Sequence, residues 1–148
     1  TRDVVSVKPD MPLQEAAELL ARHGFDGMPV VDTENQLVGI LTEYDLISKG
    51  SATHLPTLQK IIQNLGVYHK DKSRFKKNFA ELSKLTVKDV MNNDPLILSE
   101  DATYEEAVAA FRDHHRVNPI PVIDKDRRVV GVISRFDILK PLHLVNKK

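Results

Sequence analysis

The feature that most constrains this chain is that it repeats itself. Gly39-Ile40-Leu41-Thr42-Glu43-Tyr44-Asp45 returns ninety-two residues later as Gly131-Val132-Ile133-Ser134-Arg135-Phe136-Asp137. Each copy follows an apolar run with a glycine, two apolar residues, and a hydroxyl residue three places before an aspartate. An internal duplication fixes architecture before any local reading does, because the two halves fold alike and must bury against something. The surroundings repeat too. Leu13, Ala16, Ala17 and Leu20 form an apolar stripe at helical spacing, closed by Gly24. Tyr104, Ala107, Val108 and Phe111 repeat that stripe ninety-one residues on, and Thr103 with Glu106 spells a capping box in front of it.

Between stripe and glycine motif, each copy carries two continuous apolar runs around a polar turn. Met28 to Val31 and Leu37 to Leu41 flank Asp32 to Gln36, and Pro121 to Ile123 and Val129 to Ile133 answer them. Unbroken apolar runs bounded by turns predict strands buried on both faces. Short opening strands are predicted at Val4–Val7 and Leu96–Leu98. The offset grows by one between His114 and Pro121, so that loop is one residue longer in the second copy. The predicted order in each half is strand, helix, strand, strand, helix: an α/β (α+β) fold of two small βαββα units. Residues 1–48 form the first unit and 86–142 the second. Residues 49–85 form an insert in which Leu58, Ile61, Ile62 and Leu65, then Phe75, Phe79 and Leu82, predict two short helices. Lys70 to Lys84 holds six basic and two acidic residues, which reads as a solvated face.

The 148 residues suit two small, closely packed halves. Lys plus Arg and Asp plus Glu both number 21, a balance that argues against a dedicated nucleic-acid binder. With no cysteine there is neither disulfide framework nor thiolate metal site. No apolar run approaches a membrane span. The chain reads as cytoplasmic. It opens on Thr1, and the first copy lacks the lead-in Thr86-Val87-Lys88-Asp89-Val90-Met91 that precedes the second, which reads as an excerpt of something longer.

The chemistry at the motif has two readings. A Ser or Thr at a helix start, beside free backbone N–H groups, suits phosphate oxygens, and a carboxylate nearby can accept from both hydroxyls of a ribose. Thr42 to Asp45 and Ser134 to Asp137 are equally capping boxes that need no ligand. Gly39 and Gly131 would admit a ligand or another backbone at close range, or simply pack.

The strand, helix stripe, apolar-Pro-Val-Val-Asp run and Leu-Val-Gly-Ile-Leu-Thr-x-x-Asp-Leu motif resemble a CBS domain (the cystathionine β-synthase type). The tandem resembles a CBS pair, or Bateman module, over Thr1–Ser48 and Thr86–Leu142. The resemblance implies two repeats packed about a pseudo-twofold axis, with two clefts that bind AMP, ADP or ATP, with or without Mg²⁺. Thr42 or Ser134 would contact phosphate and Asp45 or Asp137 would hold the ribose. Each cleft would draw on the other repeat: Val5, Ser6, Gly27, Met28 and Pro29 for one, Ile97, Asn118, Ile120 and Pro121 for the other. Arg135 follows Ser134, whereas its counterpart Glu43 is acidic, so the more anionic ligand is expected in the Ser134 cleft. Asp26 is unfavourable for a phosphate. His115-Arg116 resembles a phosphate-facing His-Arg pair of some members but sits two residues early, a departure that leaves its role open.

No Ser-His-Asp, paired-carboxylate or P-loop pattern occurs, and no metal-ligating spacing of histidines, so the expectation is a regulatory module and not an enzyme. A homodimer is expected, fused to or contacting a regulated enzyme or transporter. The alternatives are an oligomerisation module with empty clefts, or a binder of S-adenosylmethionine or nucleic acid.

Overall fold

Each half of the duplication builds a β-hairpin with a helix on either side of it in sequence. The structure is a computed structural model that describes residues 1–48 and 84–145. In the first repeat, α1 (Leu13–His23) precedes β1 (Gly27–Val31), β2 (Leu37–Thr42) and α2 (Glu43–Ser48). A short helix, α3 (Val87–Val90), leads into the second repeat, which comprises β3 (Leu98–Ser99), α4 (Tyr104–Asp113), β4 (Ile120–Ile123), β5 (Val129–Ile133) and α5 (Arg135–Val145). The two helices expected between residues 58 and 82 lie outside the described residues, as does most of the basic segment.

The hairpins are near copies. β1 pairs antiparallel with β2 and β4 with β5, and both slip register at the same place, between Val30 and Val31 and between Val122 and Ile123. An extra residue there sharpens the strand's twist towards the turn. In each turn an aspartate collects the backbone. Asp32 Oδ1 accepts from the N–H groups of Glu34 and Gln36, both at 2.9 Å, and Asp124 Oδ1 from those of Asp126 and Arg128, both at 2.8 Å. The turns then meet each other: the Leu37 N–H donates to the Arg127 carbonyl at 2.9 Å and the Val129 N–H to the Asn35 carbonyl at 3.2 Å. Beneath them Val31, Leu37, Ile123 and Val129 form one buried cluster from both repeats, with Val4 and Ile97 against it. This is the pseudo-twofold axis.

The opening strands are shorter than the sequence predicts. Val7 makes a single parallel bridge to Val30, and only Leu98–Ser99 forms a strand, parallel to β4. The reason is that each opening segment serves two sheets. Its last residues reach their own hairpin, but its first residue pairs with the hairpin of the other repeat. Thr1 brackets Val132, its amino group donating at 2.9 Å and its carbonyl accepting at 3.0 Å, and Asn92 exchanges two 2.9 Å bonds with Ile40. Gly39 and Gly131 are where this happens. A Cβ on Gly39 would lie 2.8 Å from both the Asn92 carbonyl oxygen and Met91 Sδ, and one on Gly131 would lie 3.0 Å from the Thr1 carbonyl oxygen. Close approach of backbone, and not of a ligand, is what these glycines permit.

The helix caps follow the sequence. Thr103 Oγ1 accepts from the Glu106 N–H and Glu106 Oε2 from the Thr103 N–H, at 3.2 and 2.8 Å. Gly24 ends α1 in the left-handed region at φ 63°, where an L side chain is disfavoured. The main core holds Leu13, Ala16 and Leu20 of α1 against Met28, Val30 and Leu41 of the hairpin, closed from outside by Val87 and Val90 of α3. Among the described residues no helix is long and apolar enough to cross a membrane.

Candidate functional site: two clefts between the repeats

Thr42 ends β2 and Ser134 follows β5, so each hydroxyl stands at the mouth of the helix that leaves the hairpin. One turn on, Asp45 and Asp137 point back to it. Asp45 Oδ2 accepts from the Thr42 hydroxyl at 2.7 Å and from its N–H at 3.2 Å. Asp137 Oδ2 accepts from the Ser134 hydroxyl at 3.0 Å and its N–H at 2.9 Å. The return bonds, from the Asp45 N–H to Thr42 Oγ1 and the Asp137 N–H to Ser134 Oγ, complete both boxes. As they stand, the pairs cap their helices. The carboxylates differ in setting. Asp45 is 8% exposed, whereas Asp137 also takes Lys140 Nζ on Oδ1 at 2.7 Å. Burial alone would raise the pKa of Asp137. The Lys140 ammonium, together with the N–H and hydroxyl of Ser134, outweighs burial and holds it at about 2.

Each pair opens onto a cleft whose far wall is the other repeat. The cleft at Thr42, about 200 Å³, is closed by Leu96 of the second opening segment and by Val117 and Asn118 ahead of β4. The cleft at Ser134, about 270 Å³, is closed by Val5 of the first opening segment and by Phe25 and Asp26 ahead of β1. These walls correspond under the duplication: Leu96 answers Val5, Val117 answers Phe25, and Asn118 answers Asp26. Pro119 lines both clefts and so forms the partition, packed where a Cβ on Gly27 would come within 2.8 Å of its ring.

Where the clefts differ, the difference is in charge. Arg116 lines the Thr42 cleft, its Nη1 3.3 Å from the Tyr44 hydroxyl and its guanidinium 6.0 Å over the Tyr44 ring. At the matching position of the Ser134 cleft stands Gly24, and Phe136 replaces Tyr44. Asn118 and Asp26 meet across the axis, Asn118 Nδ2 donating to Asp26 Oδ2 at 2.6 Å, while Asn118 Oδ1 accepts from the Arg135 N–H at 3.0 Å. Among the described residues no cluster of His, Asp or Glu could hold a metal ion.

Several expectations need correction. Arg135 does not line the Ser134 cleft. Its guanidinium turns to the end of α4 and donates to the carbonyls of Phe111, His114 and His115 at 3.3, 3.0 and 2.6 Å. They lie at and just past the last turn of α4, where carbonyls outrun the helical ladder and draw a nearby cation; that of His114 also accepts from the Val117 N–H at 3.2 Å. Met28, Pro29, Ile120 and Pro121 bury their side chains in the fold, and Ile97 packs into the axial cluster. Ser6 is half-buried and lies outside the lining. Strand side chains alternate between faces, so a step of one residue exchanges cleft for core. The lining residues are one step earlier: Gly27 and Val5 in one cleft, Pro119 and Leu96 in the other. The duplication offers the signal, since Val5 plus the offset of ninety-one gives Leu96. Tyr44, Phe25 and Phe136 were not singled out by sequence. The structure brings Thr42, Asp45 and Asn118 together in one cleft, and Val5, Gly27, Ser134 and Asp137 in the other.

The profile of the CBS domain family matches residues 1–51 and 87–144. Inosine-5'-monophosphate dehydrogenase of Methanocaldococcus jannaschii is 32% identical over 139 residues, 94% of this chain but 22% of that enzyme. The chloroplastic CBS domain-containing protein CBSX1 of Arabidopsis thaliana is 28% identical over 139 residues, covering 93% of this chain and 58% of its own length. The chain therefore spans between about a fifth and three fifths of these relatives. Among solved structures, CBSX2 of Arabidopsis thaliana in complex with AMP superposes with a TM-score of 0.70 at 22% identity, over 97% of this chain and 90% of that one. The CBS domain pair of protein MJ0100, in complex with 5'-methylthioadenosine and S-adenosyl-L-methionine, gives 0.65 at 22% identity, over 96% and 93%. At such identities the structures speak to fold. Together with the matched residues, the duplicated hairpins and their shared axis make this chain a member of the CBS domain family, built as a tandem pair of CBS repeats.

Proposed function

We propose that the pair is a regulatory module that senses adenosine derivatives, adenine nucleotides among them, in its two clefts. One observation carries this: each cleft joins a hydroxyl–carboxylate pair from one repeat to two backbone segments of the other. A ligand held there touches both repeats, so its binding energy bears directly on their relative orientation. Only a ligand with different affinity for two arrangements shifts their balance. The ribose hydroxyls would donate to Asp45 or Asp137, displacing the Thr42 or Ser134 hydroxyl, which is then free for phosphate. The base would lie against Leu96 and Val117, or Val5 and Phe25. Bound AMP in CBSX2, and methylthioadenosine and adenosylmethionine in MJ0100, support the ligand class. Leu139, 49% exposed on α5, supports a homodimer through that helix. The regulated enzyme or transporter would be a fused or docking partner.

A second reading has its own observation. The hydroxyl–carboxylate boxes are internally satisfied, so an oligomerisation module with empty clefts requires nothing more. A thermal-shift panel with adenosine, AMP, ADP, ATP with and without Mg²⁺, and S-adenosylmethionine separates the two. At a hundred times Kd, linkage gives about 2.7 kcal/mol, a rise of roughly 5 °C for a domain of this size. Asp45→Ala and Asp137→Ala should each remove the part owed to one cleft. No rise with any ligand would leave the empty-cleft reading standing.

A further inference from the structure

We infer that the two clefts divide their ligands by charge: the Thr42 cleft takes a 5'-phosphorylated adenosine, and the Ser134 cleft an adenosyl group whose 5' substituent is neutral or cationic. The inference rests on the sensing reading above and deepens it. Its basis is the contrast between positions that the duplication makes equivalent. Arg116 in one cleft is answered by Gly24 in the other, so among the described residues a guanidinium lines the Thr42 cleft and none lines its twin. Among the described residues Arg116 has no carboxylate partner, only the Tyr44 ring and hydroxyl. A guanidinium held by an aromatic ring keeps its fork of N–H donors for an anion.

The Ser134 cleft has the opposite character. Asp26 stands where its twin has Asn118, and Asp3 and Asp137 line it as well. Arg135, the cation nearest in sequence, is spent on the α4 carbonyls. Lys140, beside this cleft, is bound by Asp137 at 2.7 Å and sits 5.6 Å from the Phe136 ring. Phe25, one face of which is stacked on His23 at 4.9 Å, and Phe136 line this cleft with aromatic carbon that suits a thioether or sulfonium, while the carboxylates repel phosphate.

Calorimetric titration of the whole chain with AMP and with 5'-methylthioadenosine, each alone and then with the other saturating, tests this. Both ligands should bind together, one equivalent each. Arg116→Ala should weaken AMP at least ~10-fold and leave methylthioadenosine within about twofold. Phe136→Ala should give the reverse pattern. S-adenosylmethionine should bind at least as tightly as methylthioadenosine and should not displace AMP. Mutual displacement of AMP and methylthioadenosine, or equal loss of both in Arg116→Ala, would overturn the division while leaving the sensing reading intact. Failure of the parent chain to bind either ligand would instead remove the sensing reading on which the division depends. Thermal unfolding of each variant serves as the folding control, and Phe136→Leu replaces Phe136→Ala if the latter does not fold.

Discussion

Leu13 and Tyr104 hold the same position in the two repeats, yet Leu13 is fully buried and Tyr104 is 46% exposed. The difference is α3. Its Val87 and Val90 cover α1, and the backbone around it is tied down by the Leu13 N–H to the Leu85 carbonyl at 2.9 Å and the Val87 N–H to the Met11 carbonyl at 3.0 Å. Among the described residues nothing covers α4 in that way. Tyr104 instead turns its hydroxyl to the Ile138 carbonyl at 2.7 Å. The helix ends differ as well. α1 closes on Gly24, with the Phe25 N–H reaching back to the Leu20 carbonyl at 3.1 Å, while α4 runs into a longer loop whose carbonyls are gathered by Arg135. Two copies of one motif thus solve the same end problem with a backbone turn in one case and a distant cation in the other. What this teaches is that duplication preserves local elements and leaves their neighbours free to diverge.

The comparison can be broken most directly at its core. Leu13→Ala should cost about 3 kcal/mol in urea unfolding, as expected for a fully buried leucine, whereas Tyr104→Ala should cost about 1 kcal/mol. Equal costs would mean that α3 does not distinguish the repeats in solution. Next come the glycines. Gly39→Ala forces a Cβ against both Asn92 and Met91 and should destabilise by about 2 kcal/mol. Gly131→Ala meets one tight contact and should cost less than half of that in the same assay. Arg135→Ala should lower stability by about 1 kcal/mol, because water only partly replaces the guanidinium on three carbonyls. The same variant should leave AMP affinity unchanged, and a large loss would return Arg135 to the cleft.

A further effect of similar size concerns Asp137. Its folded pKa of about 2 lies below the unfolded carboxylate value near 3.9, so its contribution is present above about pH 4 and is lost as pH falls from there through 2. With Lys140 largely in solvent, that contribution is about 1 kcal/mol. On acidification from pH 5 to pH 2, the parent should lose about that much more stability than Asp137→Asn. Parallel curves would show the ion pair to be idle.

The repeated grammar made most of this legible: both hairpins, both helix stripes, the Thr103 capping box, and the hydroxyl and aspartate of each cleft. Periodicity and repetition are properties of residue order, and local backbone preference follows them. Less legible were the lining positions. Ile97 and Leu96 are both apolar neighbours on an extended segment, and choosing between them needs the register that pairing with another strand imposes. Arg135 was misplaced for a related reason. Its neighbour Ser134 suggested phosphate, but a long side chain goes to strong acceptors within reach, and those are the Phe111, His114 and His115 carbonyls at the end of α4 and in the loop after it.

By itself, the sequence determined that this protein is two copies of one small unit, because a chain that repeats its apolar pattern must fold the pattern twice. Only the tertiary structure decided that each opening segment lends its first residue to the other repeat, that α3 seals the first repeat, and that Arg116 lines the Thr42 cleft. Those outcomes depend on which surfaces meet across the axis, and packing between segments ninety residues apart is set by shape and unsatisfied polar groups that no local window of sequence contains.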